Sequence, residues 1–205
     1  MKLTIKPLTK NTWKDFENLF GSRGACGGCW CMAWRLKSAE FEKNKGVGNK
    51  KAMRRLVGKA EQIGLIGYIG KEPVGWCAVA PREKYVRLEN SKVLARLDDE
   101  PVWSISCFFI AKDYRKKGLS SELLKAVIEY CKKLNKAARP DLSRKYRSAG
   151  NKVKILEGYP TVPYNKNIPA AFAWTGIPSA FEKAGFTEIA RRSKTRPIMR
   201  YYLNK

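Results

Sequence analysis

The chain has no histidine among its 205 residues. Imidazole bases, Ser-His and Cys-His nucleophile pairs and His-containing metal sites are therefore excluded. Acids are scarce as well: 18 Asp and Glu face 42 Lys and Arg, a formal charge of +24. No stretch approaches the roughly 20 apolar residues that a membrane-spanning helix requires. The start Met1-Lys2-Leu3-Thr4-Ile5-Lys6-Pro7 lacks the apolar core of a secretory signal. These absences predict a cytoplasmic protein that does not enter a membrane, in which the six cysteines stay as free thiols rather than disulfides.

What is present suits one globular core. With 44% hydrophobic and 11% aromatic residues, the composition predicts a single domain over 1–205. Leu3 to Leu8 alternates as a half-buried strand, and Asn11 or Thr12 caps a helix through Phe20 that turns Trp13, Phe16, Leu19 and Phe20 inward. Asn49 to Ile63 reads as a second helix. Leu65 to Ile69 and Val74 to Ala80 read as a hairpin turning at Lys71-Glu72-Pro73, and Trp103 to Ile110 as a central strand covered on both faces. From Leu119 onward, Leu123, Ala126, Val127, Tyr130 and Leu134 recur at helical spacing. Val153 to Leu156, Thr187 to Ala190 and Ile198 to Leu203 read as strands, and Ser179 to Ala184 as a short helix ended by Gly185. Interleaved strands and helices without a repeat predict an α/β domain, a sheet covered by helices. The run Tyr201 to Leu203 leaves two pairings open, across a homodimer or inside one sheet.

The segment Arg115-Lys116-Lys117-Gly118-Leu119-Ser120-Ser121 lies between the most apolar strand and the clearest helix. A helix start there aims free backbone N–H groups and the positive dipole end at one small volume, and Gly118 lets a phosphate oxygen approach the main chain. The basic side chains and the two serine hydroxyls add charge and donors. This is a site for an anion, a pyrophosphate in particular.

An apolar strand ending at Ile110, then Arg115, Gly118 and Ser120, resembles the acyl-CoA signature of GNAT acyltransferases, which runs Gln or Arg, two residues, Gly, one residue, Gly or Ala. Ser120, itself small, departs from the Gly or Ala usual at the last position. Phe181-Glu182-Lys183-Ala184-Gly185-Phe186 is similar to the family's late Tyr-Glu-Lys-x-Gly-Phe segment. The resemblance implies a central, mostly antiparallel sheet of six to seven strands flanked by helices. It also implies acetyl-CoA as the acyl donor, with pantetheine along the backbone of Phe108, Phe109 and Ile110 and the pyrophosphate on Arg115 to Ser121. The implied activity is direct transfer of an acetyl group to a primary amine of a small molecule or a protein. Phe181 stands where the family often has its proton-donating tyrosine, and the usual asparagine falls near Trp174 or Thr175. Tyr159 is therefore the candidate acid and Glu157 the candidate base through a water.

The loop at about 21–48 carries Cys26-Gly27-Gly28-Cys29-Trp30-Cys31, with three thiols but no local fourth ligand for zinc, so no metal is expected. In the family this loop commonly helps form the acceptor site, which nominates Cys29, Trp30, Trp34 and Arg35; Trp30 and Trp34 at helical spacing equally suit the core. The basic loop at about 135–152 either touches the 3′-phosphate of CoA or is a solvated face. A nucleic-acid-binding module is the alternative drawn from charge alone, without an accompanying recognition motif, and a catalytically degenerate acyl-CoA binder is a third.

Overall fold

The computed structural model describes residues 2–136, 152–163 and 173–203. Seven strands form one sheet: β1 (Leu3–Pro7), β2 (Leu65–Ile69), β3 (Glu72–Pro81), β4 (Val102–Ile110), β5 (Ile155–Gly158), β6 (Thr187–Arg191) and β7 (Pro197–Tyr202). Their spatial order is β1-β2-β3-β4-β5-β7-β6. Every neighbouring pair is antiparallel except β4 and β5, which run parallel. The helices are α1 (Trp13–Phe20), α2 (Ser38–Lys43), α3 (Val47–Gly58), α4 (Val86–Glu89), α5 (Leu119–Lys136) and α6 (Pro178–Lys183). Among the described residues no helix is long and apolar enough to cross a membrane.

One layer lies on each face of the sheet. On one side α5 sets Leu123, Leu124, Val127, Ile128 and Cys131 against Leu65, Val79, Ile105 and Phe108. The buried stripe is turned slightly from the expected one, since Ala126, Tyr130 and Leu134 are only half-buried. On the other side α1 buries the four predicted residues, with Phe16 meeting Trp76 of β3 at 4.9 Å between ring centroids. Thr12 precedes α1 as expected but does not cap it. Its hydroxyl donates to the Pro7 carbonyl at 2.8 Å and accepts the Thr9 N–H at 2.9 Å, fastening the strand exit instead.

Three readings shift. The helix expected over 49–63 starts at Val47 and stops at Gly58, because Ala60 takes the left-handed conformation (φ 54°) and turns the chain out. The hairpin turns at Gly70-Lys71, one pair after Ile69↔Glu72, and Pro73 sits in β3 at a bulge, where its missing N–H costs no ladder bond. β5 begins two residues late because the side chain of Asn135 takes both the N–H and the carbonyl of Val153, each at 2.8 Å. The short helices α2 and α4 were not foreseen. β7 lies between β5 and β6, so the Tyr201–Leu203 run pairs inside the sheet and offers no free edge to a second copy.

The sheet forks at its centre. β4 carries an extra residue, Ser106, between the pairs Ala78↔Cys107 and Val79↔Ile105. β5 accompanies β4 only over Val102 to Ile105, after which β4 continues alone to Ile110. Such a bulge bends the strand and ends pairing.

Candidate active site

The fork opens into a cleft of about 1090 Å³. By strand alternation Phe108 and Ile110 turn their backbone groups toward the side β5 has left, and Phe109 turns toward β3, as Ala111 does in donating to Val74 at 2.9 Å. The expected row of three is thus two. The Phe108 N–H is itself occupied, donating to the Trp174 carbonyl at 2.6 Å, and the Ile110 carbonyl accepts Arg115 Nε at 2.9 Å. The Ile110 N–H faces the cleft, as does the Phe108 carbonyl, which also accepts the Cys107 thiol at 3.8 Å.

Beyond Ile110 the chain turns through Lys116 (φ 59°) and Gly118 (φ 77°) into α5. Left-handed residues alternating with right-handed ones gather successive N–H groups toward one point. The amides of residues 116–120 have no hydrogen-bond partner among the described residues, and nothing lies within 4 Å of where a Gly118 Cβ would stand. Arg115, Lys116, Gly118, Leu119, Ser120 and Ser121 line the cleft. Lys117 does not; it lies over the Tyr114 ring at 5.7 Å. The Ser121 hydroxyl is spent inside the turn, donating to the Gly118 carbonyl at 2.8 Å.

Phe181 fills the crotch of the fork. It is fully buried, packs edge-on to Phe108 at 5.8 Å, and presses so near Gly158 that a Cβ there would lie 2.0 Å from its ring. The ring wedges β4 and β5 apart and does not line the cleft, a structural use that phenylalanine serves without a hydroxyl.

Glu157 and Tyr159 meet each other rather than the cleft. Both are 1% exposed. The Tyr159 hydroxyl donates to Glu157 Oε1 at 2.7 Å, receives Arg82 at 2.8 Å and shares a hydrogen bond with Ser104 at 2.8 Å. Glu157 Oε1 also accepts Arg82 at 3.1 Å, and Oε2 accepts Arg200 Nε at 2.6 Å. Burial, then the Glu157 charge, holds the Tyr159 hydroxyl well above the ordinary tyrosine value, so it stays protonated at neutral pH. Both oxygens of Glu157 are held by guanidinium groups, and neither residue is among those that line the cleft. Arg82, buried at the centre of this network, was missed because one arginine among so many basic residues carries no local mark of burial.

The cysteine loop forms the other wall. Of the four nominated acceptor residues, Cys29 lines the cleft; Trp30, Trp34 and Arg35 do not. Trp30 lies across Gly24 and stacks on Phe20 at 5.8 Å, which is the core alternative. Arg35 is buried over the Tyr85 ring and donates to the Ile63 carbonyl at 3.2 Å. Trp34 packs on Trp174 at 5.7 Å, behind the wall. Residues not foreseen take their place: Cys31, Cys107, Arg87 and Lys45. Cys31 Sγ accepts the Trp76 indole N–H at 3.2 Å. A hydrogen bond from the Cys107 thiol, with the Arg35 charge and the indole, outweighs burial and lowers the Cys31 thiol. Burial pushes Cys29 up to about 11. Among the described residues no group of three or more Cys, Asp or Glu is placed to hold a metal. Most of the basic loop, residues 137–151, lies outside the described residues.

Comparison with solved structures finds the same fold. A GNAT-family acetyltransferase from Streptococcus agalactiae superposes with a TM-score of 0.54 at 13% identity, covering 99% of this chain and 96% of that one. The aminoglycoside acetyltransferase AAC(6')-Ib in complex with coenzyme A gives 0.51 at 16% identity, covering 98% and 95%. No curated protein matches the chain significantly. A family model described as the acetyltransferase (GNAT) family matches residues 30–142, more than half of the chain. The match takes in β4, the Gly118 turn and α5, where the free amides and the fork meet, and the chain belongs to the GNAT acetyltransferase family.

Proposed function

We propose that the protein is an N-acetyltransferase that moves the acetyl group of acetyl-CoA to a primary amine by direct attack. The observation that carries this reading is the set of unpartnered amides at residues 116–120, set beside a cleft that runs along the unpaired edge of β4. A pyrophosphate fits there: the N–H groups converge, Gly118 leaves the approach open, and Arg115 and Lys116 supply charge. Pantetheine fits the fork, with the Phe108 carbonyl and Ile110 N–H as its amide partners. Coenzyme A is named for AAC(6')-Ib, and its presence here is carried over on that fit.

In the reaction the neutral amine nitrogen bonds to the thioester carbon and the C–S bond breaks. The proton lost by nitrogen ends on the departing sulfur. The chain's part is to hold the two partners in line, which supplies much of the rate. We assign Glu157 and Tyr159 a positioning role, bracing the closed end of the fork through Ser104 and Arg82. The acceptor of the aminoglycoside enzyme is not carried over at 16% identity.

A second reading has one observation in its favour. The described lining holds no carboxylate and the chain no imidazole, so a binder of acyl-CoA without turnover has the same geometry. Two measurements decide. Acetyl-CoA should raise the melting temperature, and an amine should release free thiol from it. Heat protection without thiol release across a broad amine panel favours the binder; no protection at all rejects both.

A further inference from the structure

The cleft has two ends. β4 begins beside the end of β3, where Pro81 pairs with Trp103, and it finishes beside Gly75, which pairs with Ile110. The amide nest follows Ile110. Arg87, on α4, enters the cleft from the chain that leaves β3 at Pro81, the strand end opposite the one beside the nest. A pyrophosphate on the nest therefore leaves Arg87 to something else.

Arg87 is held in place. Its backbone N–H donates to the Trp34 carbonyl at 3.0 Å and its Nη1 to the Ala33 carbonyl at 3.0 Å, with the guanidinium 5.8 Å from the Trp34 ring. Nε and Nη2 have no partner among the described residues, and no carboxylate there pairs with the side chain. A fixed fork with free donors matches a carboxylate or phosphate. The rest of the lining agrees. Its charged residues are Lys45, Arg87, Arg115, Lys116 and Lys183, all cationic, of which Lys45 is partly offset by Glu42. The same cleft carries the apolar rings of Phe20, Phe41, Phe108 and Trp174.

We infer that the acceptor is an amine that also carries an anionic group, with Arg87 as the residue that selects it, and an aromatic or apolar body between the two. A polycationic amine meets only like charge among the described residues of this cleft. The inference rests on the proposed acetyl transfer and deepens it by naming the class of acceptor.

The test uses primary amines matched in shape. 4-(Aminomethyl)benzoate and 4-(aminomethyl)benzamide differ only in the anion, 4-(aminomethyl)phenyl phosphate distinguishes a phosphate from a carboxylate, and spermidine represents polycations. The anionic amines should exceed the benzamide in kcat/KM by about tenfold to a hundredfold, the worth of hydrogen bonds to a charged group. Added salt should raise their KM and leave that of the benzamide alone. Arg87→Gln should erase the difference through KM with kcat little changed, Arg87→Lys should restore part of it, and Arg87→Glu should turn the preference toward spermidine. Should the variants fail to fold, the comparison of the four amines on the unaltered protein and its salt dependence still decides. Equal use of benzoate and benzamide, preference for spermidine, or no turnover of any of the four overturns the inference. Heat protection by acetyl-CoA, measured alongside, shows whether the acetyl-transfer reading has failed with it or stands alone.

Discussion

Arg82 shows how one side chain can organise a region. Its guanidinium reaches Glu89 at 2.6 Å, Glu157 at 3.1 Å, the Tyr159 hydroxyl at 2.8 Å and the Leu94 carbonyl at 2.6 Å, joining β5 to the segment after β3. Removing one partner from a buried ion pair leaves an uncompensated charge, which costs about 3–5 kcal/mol. Glu157→Gln should therefore lower the unfolding free energy by that order in denaturant titration. Tyr159→Phe should lower it by about 1–3 kcal/mol, the penalty of an unsatisfied buried polar group. If Tyr159→Phe abolishes turnover while melting like the parent, the hydroxyl takes part in proton transfer rather than positioning. Nothing in the sequence separates Arg82 or Arg87 from the other basic residues: what distinguishes them is burial and partners contributed by segments far along the chain. Glu157 and Tyr159 were nominated as catalytic base and acid; an acid and a tyrosine at the end of an apolar strand must find partners, but that these are Arg82, Arg200 and Ser104 rather than a substrate is a tertiary fact.

At the scale of elements, the strand, turn and helix around Gly118 were legible because each signal is local. An unbroken apolar run predicts a buried strand, a glycine among basic residues a turn, and a period of 3.6 a helix. The fork was not legible from spacing, because it depends on the bulge at Ser106 and on where β5 stops, both set by pairing. The helices α2 and α4, of 6 and 4 residues, are too short to show a period. Gly118→Val isolates the turn. The left-handed backbone at φ 77° disfavours any Cβ by roughly 1–2 kcal/mol, and the branched side chain would project into open space in front of the amides. If the pyrophosphate sits there, calorimetric titration should show acetyl-CoA affinity falling at least about tenfold.

For the molecule as a whole, the excess of positive charge makes each acid count. Arg200 holds the Asp98 carboxyl below its usual value, and for Glu89 the bonds from Arg96 and Arg82 outweigh burial to the same effect. A carboxylate whose folded value is depressed stabilises the fold above its unfolded value and loses that contribution as pH falls through the folded one. Stability should therefore hold at pH 7 and decline from about pH 4 downward, where the unfolded carboxylates begin to take protons. Denaturant midpoints at pH 7, 4 and 3 measure it; an unchanged midpoint at pH 3 would contradict the ion-pair geometry. The +24 charge also gathers anions around the whole surface, a field in keeping with both ligands proposed.

In the proposed acetyl transfer, a cleft walled by thiols, aromatic rings and cations offers an incoming ammonium no imidazole or carboxylate among its described residues to take its extra proton. On that reading, water takes the proton before docking. The working pH range of the catalyst then belongs to its substrate: each acceptor would be consumed faster as the medium becomes alkaline enough to neutralise that particular nitrogen, and two acceptors of different basicity would trace two displaced curves on the same protein.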